Sequence, residues 1–238
     1  MTEQNGPPVI AAVAFDLDGL MVNTEELYTE VGRVLLARRG KQVTRELLDN
    51  MMGRQSAVAL QVMIDWHQLD ATVAQLQEET DEIFSGLLER RLAPMPGLFA
   101  LLTKLETCKI PKAVTTSSRR VFVTRVLDLI GVTDRFEFFL TAEDIVQSKP
   151  DPEIYQKAAQ RFHVEPNQLL VLEDSEIGCC AAIAAGAFTV AVPGEHSRNH
   201  SFSGVNLIAA SLSDPVIDQV FHFPAGSRPG ETHQSIVS

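Results

Sequence analysis

Seven residues from Val9 to Phe15, VIAAVAF, form an apolar run of strand length that ends in two carboxylates, Asp16 and Asp18. A run with no polar alternation suits a parallel strand covered on both faces, and this constrains the fold more than any other feature of the chain. Comparable runs recur at Lys112 to Thr116, Phe136 to Leu140, Leu169 to Leu172, Phe188 to Val192 and Val205 to Ala209. Segments with helical spacing separate them, notably Val121 to Ile130, Pro152 to Phe162 and Ile177 to Ala185. The alternation predicts an α/β fold built on a doubly wound parallel sheet.

One region breaks the alternation. From Glu25 to about Leu92 no strand pattern is evident, while Leu27, Val31, Val34 and Leu35 recur at helical intervals, as do Leu76, Ile83, Phe84, Leu87 and Leu88. This predicts a helical domain inserted over residues 25–92, flanked by core segments 9–24 and 93–223. Its hinges fall just after Asp18-Gly19 and at Pro94-Met95-Pro96-Gly97, where prolines and a glycine interrupt helix. Residues 224–238 read as a loose polar tail.

Composition narrows the range of partners. The 238 residues, 45% of them apolar, suffice for such a core. Twenty Lys+Arg against 31 Asp+Glu give a formal charge of -11, which repels phosphate-rich polymers, so no nucleic-acid partner is expected. The N-terminal MTEQNGPPVI has neither a basic stretch nor an apolar signal core, and no run approaches the roughly 20 residues that span a bilayer. No membrane partner is therefore expected, and a cytoplasmic location is the default; the sequence leaves the oligomeric state open, a monomer being slightly favoured. Cys108, Cys179 and Cys180 are odd in number and lack paired spacing. They are expected to be small buried apolar side chains.

In open parallel sheets ligands bind at the carboxyl ends of the strands. The first predicted strand delivers Asp16 and Asp18 there, and the second delivers Thr115-Thr116-Ser117-Ser118. A loop after the third carries Lys149, and the fourth delivers Glu173-Asp174-Ser175. Singly, each has an ordinary explanation as a turn, a helix cap or a loop lysine. Together they differ, because carboxylates gathered at one edge repel by about 4 kcal/mol per close pair at an effective dielectric of 20. A positive group must stand among them. An all-oxygen set with no His or Cys nearby suits a hard divalent cation, Mg2+ in preference to zinc. His196 and His200, four apart in EHSRNH, lack an HExxH pattern or a third ligand, so zinc is not expected there. Trp66 and His67 are expected to pack or cap within the insert.

FDLDGLMVNTE, VTTSS, SKPDPEIY and VLEDSEIGCCAAIAAGA resemble, in order and spacing, the four motifs of the haloacid dehalogenase-like superfamily, in its branch with a helical cap inserted after the first motif. The likeness covers most of residues 9–220 and is greatest to the group of β-phosphoglucomutases, small-sugar phosphatases and pseudouridine-5'-phosphatase-like enzymes. It implies a Rossmann-like core, Asp16 as a nucleophile forming an aspartyl phosphate, and Asp18 as general acid and base. Covalent catalysis has an independent rationale, since it divides a very slow hydrolysis into two easier steps. The resemblance further implies Mg2+ held by the Asp16 side chain, the Asp18 main-chain carbonyl and the pair Glu173-Asp174, with Asp174 favoured for direct ligation. Thr116 and Lys149 would face the transferring phosphoryl oxygens, with Thr115 or Ser117 as fallbacks for Thr116.

The cap would read the organic part of a small phosphate ester through Asn23, Glu25, Tyr28, Ser117 and Arg54, the last beside Gly53, which lets the chain approach closely. Arg54 could equally cap a surface helix, and Tyr28 could fill the cap core. The dehalogenases of the superfamily lack the second aspartate, so phosphoryl transfer is the expected chemistry. Two departures matter: Tyr28 stands where the mutase has a histidine, and Asn23 where the family usually has an aspartate. The expected activity is a Mg2+-dependent phosphatase acting on a sugar or nucleoside phosphate. A phosphosugar mutase and a catalytically idle binding protein are the alternatives.

Overall fold

A computed structural model describes residues 9–51 and 56–221. Six parallel strands, β1 (Ala12–Phe15), β2 (Lys112–Thr115), β3 (Phe138–Leu140), β4 (Leu169–Glu173), β5 (Phe188–Ala191) and β6 (Leu207–Ile208), form one sheet in the order β3-β2-β1-β4-β5-β6. Strand order reverses between β1 and β4, which places a ligand crevice at their carboxyl ends. Both of these central strands are buried along their whole length, the reason neither alternates with polar residues.

The two faces of the sheet are packed differently. Ala12, Ala14, Ala113 and Val171 meet Ile154, Tyr155 and Ala158 of α7 (Glu153–Phe162), and Ala181 and Ala182 of α8 (Glu176–Ala184). Small side chains on sheet and helices let the layers approach closely. The other face carries Val13, Phe15, Leu170 and Leu172, in one cluster with Leu102 of α5 (Leu98–Thr107), Val126 of α6 (Arg120–Leu129) and Ile217 of α9 (Pro215–Val220).

Between β1 and α5 lie α1 (Thr24–Ala37), α2 (Arg45–Met51), α3 (Ser56–His67) and α4 (Val73–Arg91), with no strand among the described residues. The buried stripe of α1, Leu27, Val31 and Leu35, packs against the stripe of α4 that includes Leu76, Ile83 and Leu87. Thr72 and Gln75 fix the start of α4 by exchanging side-chain and main-chain hydrogen bonds. The two segments that join these helices to the sheet run side by side. The Asn23 N–H donates to the Ala93 carbonyl (3.1 Å), the Met95 N–H donates to the Met21 carbonyl (2.8 Å), and Val22 bridges Pro94 in antiparallel fashion.

Some expectations require correction. The strands are shorter than the apolar runs: Val9 is exposed, and β6, paired on one side only, keeps just two residues of Val205 to Ala209. Cys179 is buried, but Cys180 is exposed because one step along α8 turns a side chain about 100° round the helix axis. Trp66 leaves 43% of its surface exposed, and the His67 Nε2 atom is buried without a hydrogen bond among the described residues. The tail expected over 224–238 lies outside the described residues. No helix among those described is long and apolar enough to cross a membrane.

The alanine-lined face gives a direct test. Ala14→Leu inserts a branched side chain where β1 meets α7 and should cost about 1–3 kcal/mol in urea unfolding. An unchanged unfolding midpoint would mean that the contact is not tight.

Candidate active site

Asp16 follows β1 and Glu173 closes β4; since these strands are parallel neighbours, both carboxylates emerge at the same edge. Lys149 enters from the loop after β3. Its ammonium donates to Asp16 Oδ1 (2.6 Å), Glu173 Oε1 (2.7 Å) and the Thr115 carbonyl (3.1 Å), which uses all three of its N–H groups. Glu173 Oε1 also accepts from the Tyr155 hydroxyl (2.8 Å), and Oε2 accepts from the Asp174 and Ser175 N–H groups and from Ser175 Oγ. Burial drives Asp16 well above the ordinary carboxylate range; Lys149 opposes this, and Glu173, Asp174 and Asp18 add to it. Burial would lift Glu173 as well, but Lys149, Tyr155 and the Ser175 N–H outweigh it and hold that group below its usual value. Burial also penalises the Lys149 ammonium, yet Asp16 and Glu173 keep it firmly protonated.

Asp18 is gripped by hydroxyls from two other segments. Thr24 Oγ1, at the start of α1, donates to its Oδ1 (2.8 Å), while Ser118 Oγ (2.7 Å) and Thr116 Oγ1 (3.4 Å) reach Oδ2. Thr116 Oγ1 accepts the Ser118 N–H as well (3.0 Å), which fixes the turn after β2. Thr115, by contrast, turns its hydroxyl inward to the Phe15 carbonyl (3.2 Å). The residue that faces the acids is therefore Thr116, while Ser117 is exposed and makes no hydrogen bond among the described residues.

Oxygens of Asp16, Glu173 and Asp174 lie within 4.8 Å of one another, all three residues buried. Three carboxylates against the Lys149 ammonium and the His196 imidazole, whose proton affinity burial lowers but Asp174 raises, still leave an excess that a divalent cation would balance, and the carboxylate donor set fits Mg2+. Glu173 already accepts five hydrogen bonds, whereas Asp174 Oδ1 accepts none among the described residues, so Asp174 is the better placed to ligate directly. The expectation of no histidine nearby does not hold: His196 Nε2 lies 2.6 Å from Asp174 Oδ2. His200 is turned away and accepts the Glu176 N–H at Nδ1 (3.3 Å).

Residues proposed to read the substrate fare unequally. Glu25 is lifted by burial and by Asp18 and Asp174 against the pull of His196, so it borders the acidic cluster. Tyr28 stacks on Phe84 of α4 with ring centroids 4.3 Å apart, and Phe84 in turn meets Phe122 of α6. Burial, followed by Asp18 and Glu25, pushes the Tyr28 hydroxyl up to about 12. Half-exposed yet close to these acids, Tyr28 is both packing and rim. Asn23 has different employment from the one expected: its Oδ1 accepts the Ala93 N–H (2.8 Å) and its Nδ2 donates to the Arg91 carbonyl (3.2 Å). A carboxylate there could not donate to Arg91, which gives the amide a physical reason. Arg54 lies outside the described residues.

Four contributors were not assigned from sequence. Thr24, Ser118 and Tyr155 lie inside recognised stretches, but nothing in their spacing told them from ordinary capping or core residues. His196 stands in the loop after β5, which the rule of strand carboxyl ends would have singled out had it been applied to the fifth strand.

A family model for haloacid dehalogenase-like hydrolases matches residues 13–192, a stretch that contains every strand end just described. The chain belongs to this family. It is 32% identical over 220 residues to a probable pseudouridine-5'-phosphatase of Drosophila melanogaster, with 89% of this chain and 93% of that one covered. To a bifunctional riboflavin kinase/FMN phosphatase of Arabidopsis thaliana it is 26% identical over 205 residues; these cover 86% of this chain but 54% of the relative, so the chain spans about half of that protein. Among solved structures, CbbY from Rhodobacter sphaeroides in complex with phosphate superposes with a TM-score of 0.71 at 25% identity, covering 87% of this chain and 96% of that one. As a haloacid dehalogenase-like hydrolase, the chain carries acids at the ends of β1 and β4, hydroxyls at the end of β2 and a lysine in the loop after β3.

Lys149→Met would leave Asp16 and Glu173 facing each other with no shared cation. Both carboxyls then titrate above their unfolded values, so the folded state is favoured at acid pH and loses stability as pH rises through the raised folded pKa values. Urea unfolding without divalent cations should show a deficit that is small near about pH 5 and grows toward about pH 8, on the order of 3–5 kcal/mol for a broken buried pair. A deficit independent of pH would show that Lys149 is not their counter-charge.

Proposed function

We propose that the chain is a Mg2+-dependent phosphatase that hydrolyses a small phosphorylated metabolite, a sugar or nucleoside phosphate, through an aspartyl phosphate on Asp16. Hydrolysis of small phosphate esters is supported by the family and by the relative named as a pseudouridine-5'-phosphatase. The observation that carries the covalent reading is the placing of two carboxylates with separate restraints, Asp16 on the Lys149 ammonium and Asp18 on three hydroxyls.

Asp16 attacks phosphorus, the ester P–O bond breaks, and the leaving oxygen takes the proton of the Asp18 carboxyl. Asp18, now a carboxylate, draws a proton from water, whose oxygen attacks the phosphorus. The bond to Asp16 then breaks and inorganic phosphate departs. Lys149 and Thr116 lie on the same side as these carboxylates and stabilise charge on the phosphoryl oxygens. Mg2+ would be held by Asp16, the Asp18 main-chain carbonyl and Asp174, with Glu173 behind them, and when bound supplies positive charge to the phosphoryl group. Residues 25–92 act as a cap over this edge. Since Thr24 begins α1 and also holds Asp18, the position of the cap and that of the acid are linked.

Phosphate release from a panel of sugar, nucleoside and glycolytic phosphates, with Mg2+ and with EDTA, tests the reading. Turnover should appear with Mg2+ and vanish with EDTA; no turnover across the panel would favour an idle binding protein. Asp16→Asn should abolish release with the fold intact, and Asp18→Asn should slow it by about 10²–10⁴-fold. Full activity in the Asp16 variant would overturn the assignment. β-Glucose 1-phosphate with a trace of its 1,6-bisphosphate separates the mutase reading: glucose 6-phosphate without free phosphate would establish isomerisation.

A further inference from the structure

His196 lies outside all four recognised motifs, yet the structure gives it a purpose-built place. After β5 the chain turns at Gly194, whose N–H donates to Ser197 Oγ (3.0 Å), and the fully buried Ser197 accepts the His200 N–H at its carbonyl (3.0 Å). His200 and Ser201 then fasten the loop to the start of α8: His200 Nδ1 accepts the Glu176 N–H, and Glu176 Oε2 accepts the Ser201 N–H (3.1 Å). That helix begins two residues after Asp174. Loop and acid are thus anchored to the same point.

Two glycines make room for the ring. Gly19, at φ +80°, lies so close that a Cβ there would come within 2.5 Å of Asp174 Oδ2 and 2.9 Å of His196 Nε2. A Cβ at Gly194 would come within 2.8 Å of the imidazole Cε1 and 3.0 Å of Nδ1. A surface histidine needs no such slot. The slot brings Nε2 to Asp174 Oδ2 at 2.6 Å, the one hydrogen bond that the Asp174 carboxylate accepts among the described residues.

We propose that His196 is a positioning residue for the cation site: its Nε2–H holds Asp174 Oδ2 from outside the cluster and so presents Oδ1 to the metal. The inference rests on reading Asp174 as a Mg2+ ligand. Glu173 needs no such help, because five hydrogen bonds already fix it. Among the described residues Asp174 has no other clamp. Partners that orient a ligating carboxylate in this way commonly contribute ten- to a hundredfold in metal affinity.

Calorimetric titration of Mg2+ into the full chain, stripped of metal and without substrate, tests this independently of turnover. His196→Ala and His196→Leu, the second filling the slot without a donor, should both weaken Mg2+ by about ten- to a hundredfold. His196→Gln, which keeps a donor near the Nε2 position, should stay within about threefold of wild type. Thermal unfolding of the metal-free variants checks that the loop persists. Wild-type affinity in the Leu variant, tighter binding in the Ala variant, or equal losses in Gln and Ala would overturn the inference while leaving the phosphatase reading intact. Absence of Mg2+ binding in the wild type would defeat both.

Discussion

The buried Lys149 ammonium is the interaction on which the rest of this molecule depends. Three segments far apart in sequence, ending at Asp16, Thr115 and Glu173, converge on it, and all of its hydrogen-bonding capacity goes to them. Without that cation the central strands would bring two desolvated carboxylates to one edge, where they could stay buried only by taking up protons or at a cost on the order of 3–5 kcal/mol. With it, the sheet can hold an acidic edge that is still short of positive charge. That remaining deficit suits the edge to a divalent cation and a phosphate ester.

Specialisation among the acids follows from their neighbours. Glu173 is saturated with donors and behaves as framework, Asp18 is held by hydroxyls, and Asp174 is held by one ring. Asp16 keeps one oxygen on Lys149 and has no second clamp among the described residues. A family of four similar side chains is thereby sorted into different tasks through hydrogen bonding and burial alone.

Much of this was legible in the sequence. The unbroken apolar runs before Asp16 and Glu173 gave the parallel sheet, because a central strand buried on both faces has no reason to alternate. The strand-end rule led to Thr116, Lys149 and Asp174. What escaped was of two kinds. Register was one: whether Thr115 or Thr116 faces the acids depends on the pleat, which a one-residue slip reverses. Loop geometry was the other: His196 stands 22 residues beyond Asp174 and meets it only because the Gly194 turn, Ser197 and Glu176 shape the return path. No periodicity encodes such a path. The partners of Asn23 were out of reach for a related reason, since Arg91 and Ala93 lie at the far end of the insert.

The antiparallel pairing of Met21, Val22 and Asn23 with Ala93, Pro94 and Met95 has a mechanical consequence. Two independent tethers would allow the helices to twist, slide and rock; joined along their length and cross-laced by the Asn23 amide, they form one ribbon. A ribbon bends easily about one direction and resists the others. Any motion of α1 to α4 over the acidic edge would thereby be restricted toward a single swing, with Thr24, which donates to Asp18 in this structure, carried on the moving end of the ribbon.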